Sequence, residues 1–107
     1  MPEPIRRAQV FMHGRPAGIL EELQKNRMYR FVYDESYEGP PISLTMPTSQ
    51  RIYEYSRFPP FFDGLLPEGQ MLEGLLQQRK IDRHDHFAQL VAVGGELVGA
   101  ITVEEIP

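Results

Sequence analysis

Ala8, Val10 and Met12 alternate with Gln9, Phe11 and His13, a period of two that predicts an opening β-strand. His13-Gly14-Arg15-Pro16 interrupts it, because glycine and proline supply the backbone angles of a turn. Residues 17–21 predict a second strand and Gln24-Lys25-Asn26 another turn. Met28 to Tyr33 predicts a third strand with Tyr29, Phe31 and Tyr33 on one face. After a loop from Asp34 to Pro41, Ile42, Leu44 and Met46 alternate with Ser43 and Thr45, predicting a fourth strand that Pro47 ends.

From Phe58 the period changes. Pro59 and Pro60 break the extended chain, Pro67 suits a first helical turn, and Glu68 there meets the positive end of the helix dipole. Leu72, Leu75, Leu76 and the stem of Arg79 then share one face, with Glu73, Gln77 and Gln78 toward water. Asp82 or His84 can cap a second helix that buries Phe87, Leu90 and Val91, and Gly94-Gly95 ends it. Leu97 to Val103 predicts a closing strand. The expected class is α+β: a small antiparallel sheet or partly closed barrel of about five strands, with a helical pair inserted before the last strand. Residues 1–107 form a single domain on this reading.

Composition narrows the function classes. A hydrophobic fraction of 41% and a charged fraction of 24% suit a packed globule, and zero cysteines exclude disulfides and thiolate metal sites. No apolar run approaches the roughly 20 residues of a membrane span, and Met1 to Arg7 lack the apolar segment of a signal peptide. The expected location is therefore cytoplasmic, without membrane association. Residues 1–57 carry eight Lys/Arg against seven Asp/Glu, whereas residues 58–107 carry three against eight. That acidic half repels phosphate backbones and suits a basic protein surface.

The candidate chemical groups have simpler readings. His84 and His86 diverge on a helix, so with Asp82 and Asp85 they make a poor metal cage, and one of the aspartates is better read as a cap. Asp63, Glu68 and Glu73 show no sign of the burial that a general acid needs. Gly94 to Gly99 follows a helix, the reverse of the order in a phosphate cradle. Arg27, Arg30, Arg51 and Arg57 interleave with Tyr29, Phe31, Tyr53 and Tyr55, which suits a single-stranded nucleic-acid barrel or, more simply, strands with an aromatic core face. Phe58, Phe61, Phe62, Leu65 and Leu66 are too many for one helical stripe, so part of this block is available to a partner, with Phe61, Leu65 and the helix leucines assigned to the core.

The block Phe61-Phe62-Asp63-Gly64-Leu65-Leu66-Pro67-Glu68-Gly69, its leucine-rich helix and the Lys80-Ile81-Asp82 turn resemble the signature of the N-terminal subdomain of HipA-type kinase toxins. Val10 to Gly14, Gly18 to Leu20, Tyr29 to Tyr33, Ile42 to Leu44 and Val93 to Ala100 extend the resemblance over nearly the whole chain. The phosphate-binding loop, catalytic aspartate and metal ligands of those kinases lie in a longer region that follows, so the resemblance carries no enzymatic activity and no cofactor to these residues. A free-standing copy resembles the HipS-like subunit of three-component toxin–antitoxin systems. That resemblance implies a non-catalytic antitoxin that binds and inhibits a HipA/HipT-like serine/threonine kinase toxin, with a HipB-like DNA-binding protein in a ternary complex. The contact falls on Phe61, Asp63, Gly64, Leu66, Pro67, Glu68, Gly69, Gln70 and Met71. Gln70-Met71 stands inside the helix start and the chain has no Trp, so an aromatic plug is not available there. The other readings are a separately encoded or excised structural part of such a kinase, and the nucleic-acid barrel.

Overall fold

The computed structural model describes residues 3–97 and 99–107. Five antiparallel strands form one sheet: β1 (Arg6–Met12), β2 (Arg15–Gln24), β3 (Met28–Tyr33), β4 (Ile52–Tyr55) and β5 (Ile101–Ile106). Their spatial order is β4-β3-β2-β1-β5, so the first four meander and the last returns beside the first. The sheet is open, with β4 and β5 at its edges. His13 (φ 51°) and Gly14 (φ 78°) form the β1–β2 connection, and two left-handed residues match the twist of a tight hairpin. Between β4 and β5 lie α1 (Pro60–Asp63), α2 (Gly69–Arg79), α3 (His86–Val93) and a 3₁₀ turn (Gly94–Glu96).

The period of two places Ala8, Val10, Leu20, Tyr29, Phe31, Tyr33 and Val103 on the inner face, and all are buried. Phe62 from α1 and Phe87 and Leu90 from α3 close over them, likewise buried. The Phe62 ring lies 5.8 Å from that of Phe31, and Phe58 meets Tyr29 edge-on at 5.3 Å. The aromatic reading of β3 and β4 holds: Tyr29 and Phe31 are buried, and Tyr53 and Tyr55 pack half-buried against the same core.

Five expectations fail. Ile42 to Met46 is irregular, and the fourth strand is Ile52–Tyr55. Leu44 is 96% exposed while Ile42 and Met46 are buried, so their spacing anchors a loop. The Tyr33 hydroxyl donates to the Met46 carbonyl at 2.5 Å and accepts from the Ile42 amide at 3.0 Å, taking the place of a strand partner. Pro41 and Pro47, which lack amide donors, bracket the segment and suit a loop better than a ladder.

The leucine-rich helix starts at Gly69, not at Pro67, and Glu68 occupies its cap position without a side-chain hydrogen bond. Gly69 enters it at φ +60°, a conformation that strains any side chain. Every residue of α2 is exposed or half-buried, including Leu72, Leu75, Leu76 and Arg79, so the assignment of this face to the core is wrong.

The closing strand begins at Ile101 rather than Leu97, because Gly99 turns the chain at φ +107°. Gly94 does not stop α3 by a left-handed twist: its φ is −55° and the chain continues into the 3₁₀ turn. Its role is close approach. A Cβ there would stand 2.0 Å from the Val103 carbonyl oxygen, so only glycine lets the turn press against β5.

Candidate partner-binding surface

The site residues singled out in the sequence lie along one strip from α1 through the first turn of α2. Pro60 opens α1 without wasting an amide, and the Leu65 and Leu66 amides donate to the Phe62 and Asp63 carbonyls to make the following turn. Phe62 is thereby driven inward, while Phe61 stays half-buried with its ring edge-on to Phe62 at 5.2 Å. The assignment of Phe61 and Leu65 to the core is thus half right: both pack against it from the rim, and Phe62 is the residue inside. Leu66 and Pro67 are half-buried. Asp63, Gly64, Glu68, Gly69 and Gln70 are exposed, and Met71 is 77% exposed.

Clefts flank the strip on both sides. One, of about 330 Å³, runs between Gly64, Leu65, Pro67 and Met71 and the α3–β5 connection at Val93, Glu96 and Leu97. A second, of about 350 Å³, lies between Leu66, Glu68 and Leu72 and the α2–α3 turn at Arg83, His84 and His86. A third, of about 600 Å³, extends from Asp63 past Phe58 and Arg57 to Asn26, with His84 and His86 on its wall. The His86 ring lies 5.5 Å from Phe58, an aromatic contact that occupies one of the two histidines. Among the described residues no group of three His, Asp or Glu side chains is placed to hold a metal ion.

The α2–α3 turn is fixed by hydrogen bonds that the sequence announces only in part. Asp85 caps α3, its carboxylate accepting from the Ala88 amide at 3.1 Å, while Asp82 accepts from the His84 amide at 2.7 Å. Buried Gln89 donates to the Arg83 carbonyl at 3.0 Å, and exposed Arg83 reaches Glu73 on α2 at 2.6 Å.

A charged cluster ties this helical unit to the sheet. Arg6 on β1 donates to both oxygens of fully buried Glu22 (2.7 and 2.8 Å) and to both oxygens of Asp85 (3.1 and 2.9 Å). Its guanidinium also lies 4.9 Å above the Phe87 ring. Burial by itself would lower the Arg6 pKa, but the hydrogen bonds it donates to Glu22 and Asp85 outweigh it and the guanidinium stays charged. Burial likewise pushes the Asp85 carboxyl up, and Arg6 and the Ala88 amide overcome that and hold it below the ordinary carboxylate range. Burial raises the Tyr29 phenol, and the Glu22 carboxylate beside it adds to the shift. Sequence reading missed Arg6 and Glu22 as partners. Their one local signal is a glutamate at an inward position of β2, where burial demands a cation.

Part of the arginine-and-tyrosine pattern is taken up within the fold. Tyr29 and Phe31 face the core, Arg30 pairs with Glu21 at 2.7 Å, and Arg51 donates to the Tyr37 carbonyl at 3.2 Å.

Comparison with known proteins agrees with this geometry. The structure is similar to that of the N-terminal domain of HipA toxin, with a TM-score of 0.75 and 28% identity, covering 100% of this chain and 98% of that one. An uncharacterized protein of Haemophilus influenzae is 31% identical over 105 residues, which is 98% of this chain and 97% of that protein. The putative kinase Y4dM of Sinorhizobium fredii is 32% identical over 104 residues, 88% of this chain but 25% of the kinase. The family model of the HipA N-terminal domain matches residues 8–104, and the chain belongs to that family.

Proposed function

We propose that this protein is a non-catalytic antitoxin that binds and inhibits a HipA/HipT-like serine/threonine kinase toxin in the cytoplasm, together with a HipB-like DNA-binding protein. The HipA N-terminal domain is not itself a catalytic kinase domain. The observation that carries the reading is the Haemophilus influenzae relative, of which this domain makes up 97%: there the domain accounts for nearly a whole protein. Where the domain makes up nearly a whole protein, binding to another protein is the activity we assign to it. The half-covered leucines of α2, half-buried Leu65, Leu66 and Pro67, and exposed Met71 supply apolar surface for that.

Titrating the purified chain into a HipT-like kinase from the same genome should abolish phosphorylation near equimolar ratio. Full phosphorylation in the presence of a stable complex refutes inhibition. The putative kinase Y4dM supports a second reading, since this domain is a quarter of that chain. On that reading the chain is a structural part of a kinase, and its addition raises the kinase's melting temperature and activity together.

A further inference from the structure

We infer that this surface is a socket rather than a plug: the cavity between the α1–α2 turn and the α3–β5 connection receives one large apolar side chain from a basic stretch of the kinase. The inference rests on the antitoxin reading and states how that contact is made. Leu65, Pro67 and Met71 wall the cavity on one side, and Val93 and Leu97 on the other, around about 330 Å³. All but Met71 are half-buried, so the walls are held by the core while the space between them is open. Met71, 77% exposed, stands at the mouth, and an unbranched thioether adapts to the shape of an incoming group. The entry to α2 projects no rigid aromatic: Gly69 and Gln70 precede Met71, and no Trp exists in the chain. A surface made of a flexible lip over a fixed apolar hollow accepts a knob better than it supplies one.

The rim specifies the charge of the occupant. Glu96 lines the cavity and is exposed, and Glu68 is exposed at the entry to α2. Of the eight Asp/Glu in residues 58–107, two are held in described ion pairs, Asp85 with Arg6 and Glu73 with Arg83. Among the described residues no ion pair engages Glu96, the carboxylate on this cavity's lining, so its charge is left to a cation from outside, Lys or Arg beside the inserted side chain. In the putative kinase Y4dM, three quarters of the chain lies outside the portion this domain covers, and a kinase body of that kind is the occupant to which we commit.

The test measures the affinity of the full chain for a HipT-like kinase by calorimetry, with circular dichroism melts confirming that each variant folds. Met71→Asp should weaken binding about tenfold or more. Glu96→Arg should weaken it severalfold at low salt, with the difference shrinking at high salt. Met71→Trp is the decisive variant. In a socket the indole fills the hollow and weakens binding, whereas in a plug it adds a projecting anchor and tightens it. Tighter binding by Met71→Trp, or wild-type affinity in both Met71→Asp and Glu96→Arg, overturns the socket while leaving the antitoxin reading standing. Failure of the unaltered chain to bind the kinase removes both.

Discussion

Replacing Arg6 by Met is the sharpest test of what holds the helices on the sheet. Methionine keeps much of the aliphatic stem over Phe87 but deletes four hydrogen bonds to Glu22 and Asp85. Glu22 is fully buried, so its carboxylate would be left without a cation, and breaking such a pair costs about 3–5 kcal/mol. The Arg6 and Asp85 side chains are 23% and 17% exposed, and water can reach part of the cluster. The low end, about 3 kcal/mol, is the better expectation. For a domain of about this size each kcal/mol shifts the melting temperature by about 4–8 °C, so the variant should melt about 12–24 °C lower.

The pH dependence gives a second, independent readout. In the natural protein Asp85 is held below its ordinary range, so its contribution is present at neutral pH and is lost as pH falls through the folded-state value. In the variant Arg6 no longer favours the Asp85 carboxylate, so that acid-labile contribution shrinks. Urea unfolding followed by circular dichroism from pH 7 down to about pH 3 should therefore find the natural protein losing more stability than the variant. A loss under about 1 kcal/mol, or parallel pH profiles, would refute the buried-clamp argument.

Other substitutions separate packing from propensity. Gly94→Ala should destabilise by about 1–3 kcal/mol in thermal melts, since its Cβ meets the Val103 carbonyl oxygen and one layer must shift. Gly74→Ala should do the opposite: nothing lies within 4 Å of a Cβ there, and Ala is about 0.8–1.0 kcal/mol better than Gly inside a helix. Phe62→Ala should cost about 3–5 kcal/mol by urea titration, because this fully buried ring joins α1 to β3. Phe61→Ala, at the rim, should cost clearly less in the same titration.

Much of the architecture was legible because it follows local periodicity. The alternation in residues 8–12 and 28–33 survives folding intact, since one face of each strand meets the core and the other does not. The same rule misplaced the fourth strand. Ile42, Leu44 and Met46 alternate as a strand would, yet the Tyr33 hydroxyl, not a neighbouring backbone, satisfies the amide at one end and the carbonyl at the other. A phenol arriving from another element leaves no trace in the segment it organises. Gly94 shows a related limit: beside Gly95 it reads as a helix stop, and its real constraint is a carbonyl nine residues away. In the candidate site, the strip from Phe61 to Met71 is proposed on its excess of apolar residues around glycine and proline. The opposite wall at Val93 and Leu97 was not legible in the sequence, because those residues also fit an ordinary helix end and strand start. The partnership of Arg6 with Asp85 spans 79 positions and has no local signature.

The return of β5 to the flank of β1 has a cost during synthesis. Residues 6–12 gain their neighbour on one side almost at once, from the hairpin that follows. On the other side their amides and carbonyls wait for residues 101–106, which at about 5–20 residues per second takes roughly 5–20 s. Throughout that interval the nascent chain displays a long, paired-on-one-side ribbon of the kind that captures stray strands. Arg6, Arg7 and Gln9 along that ribbon keep it hydrated until its proper mate arrives.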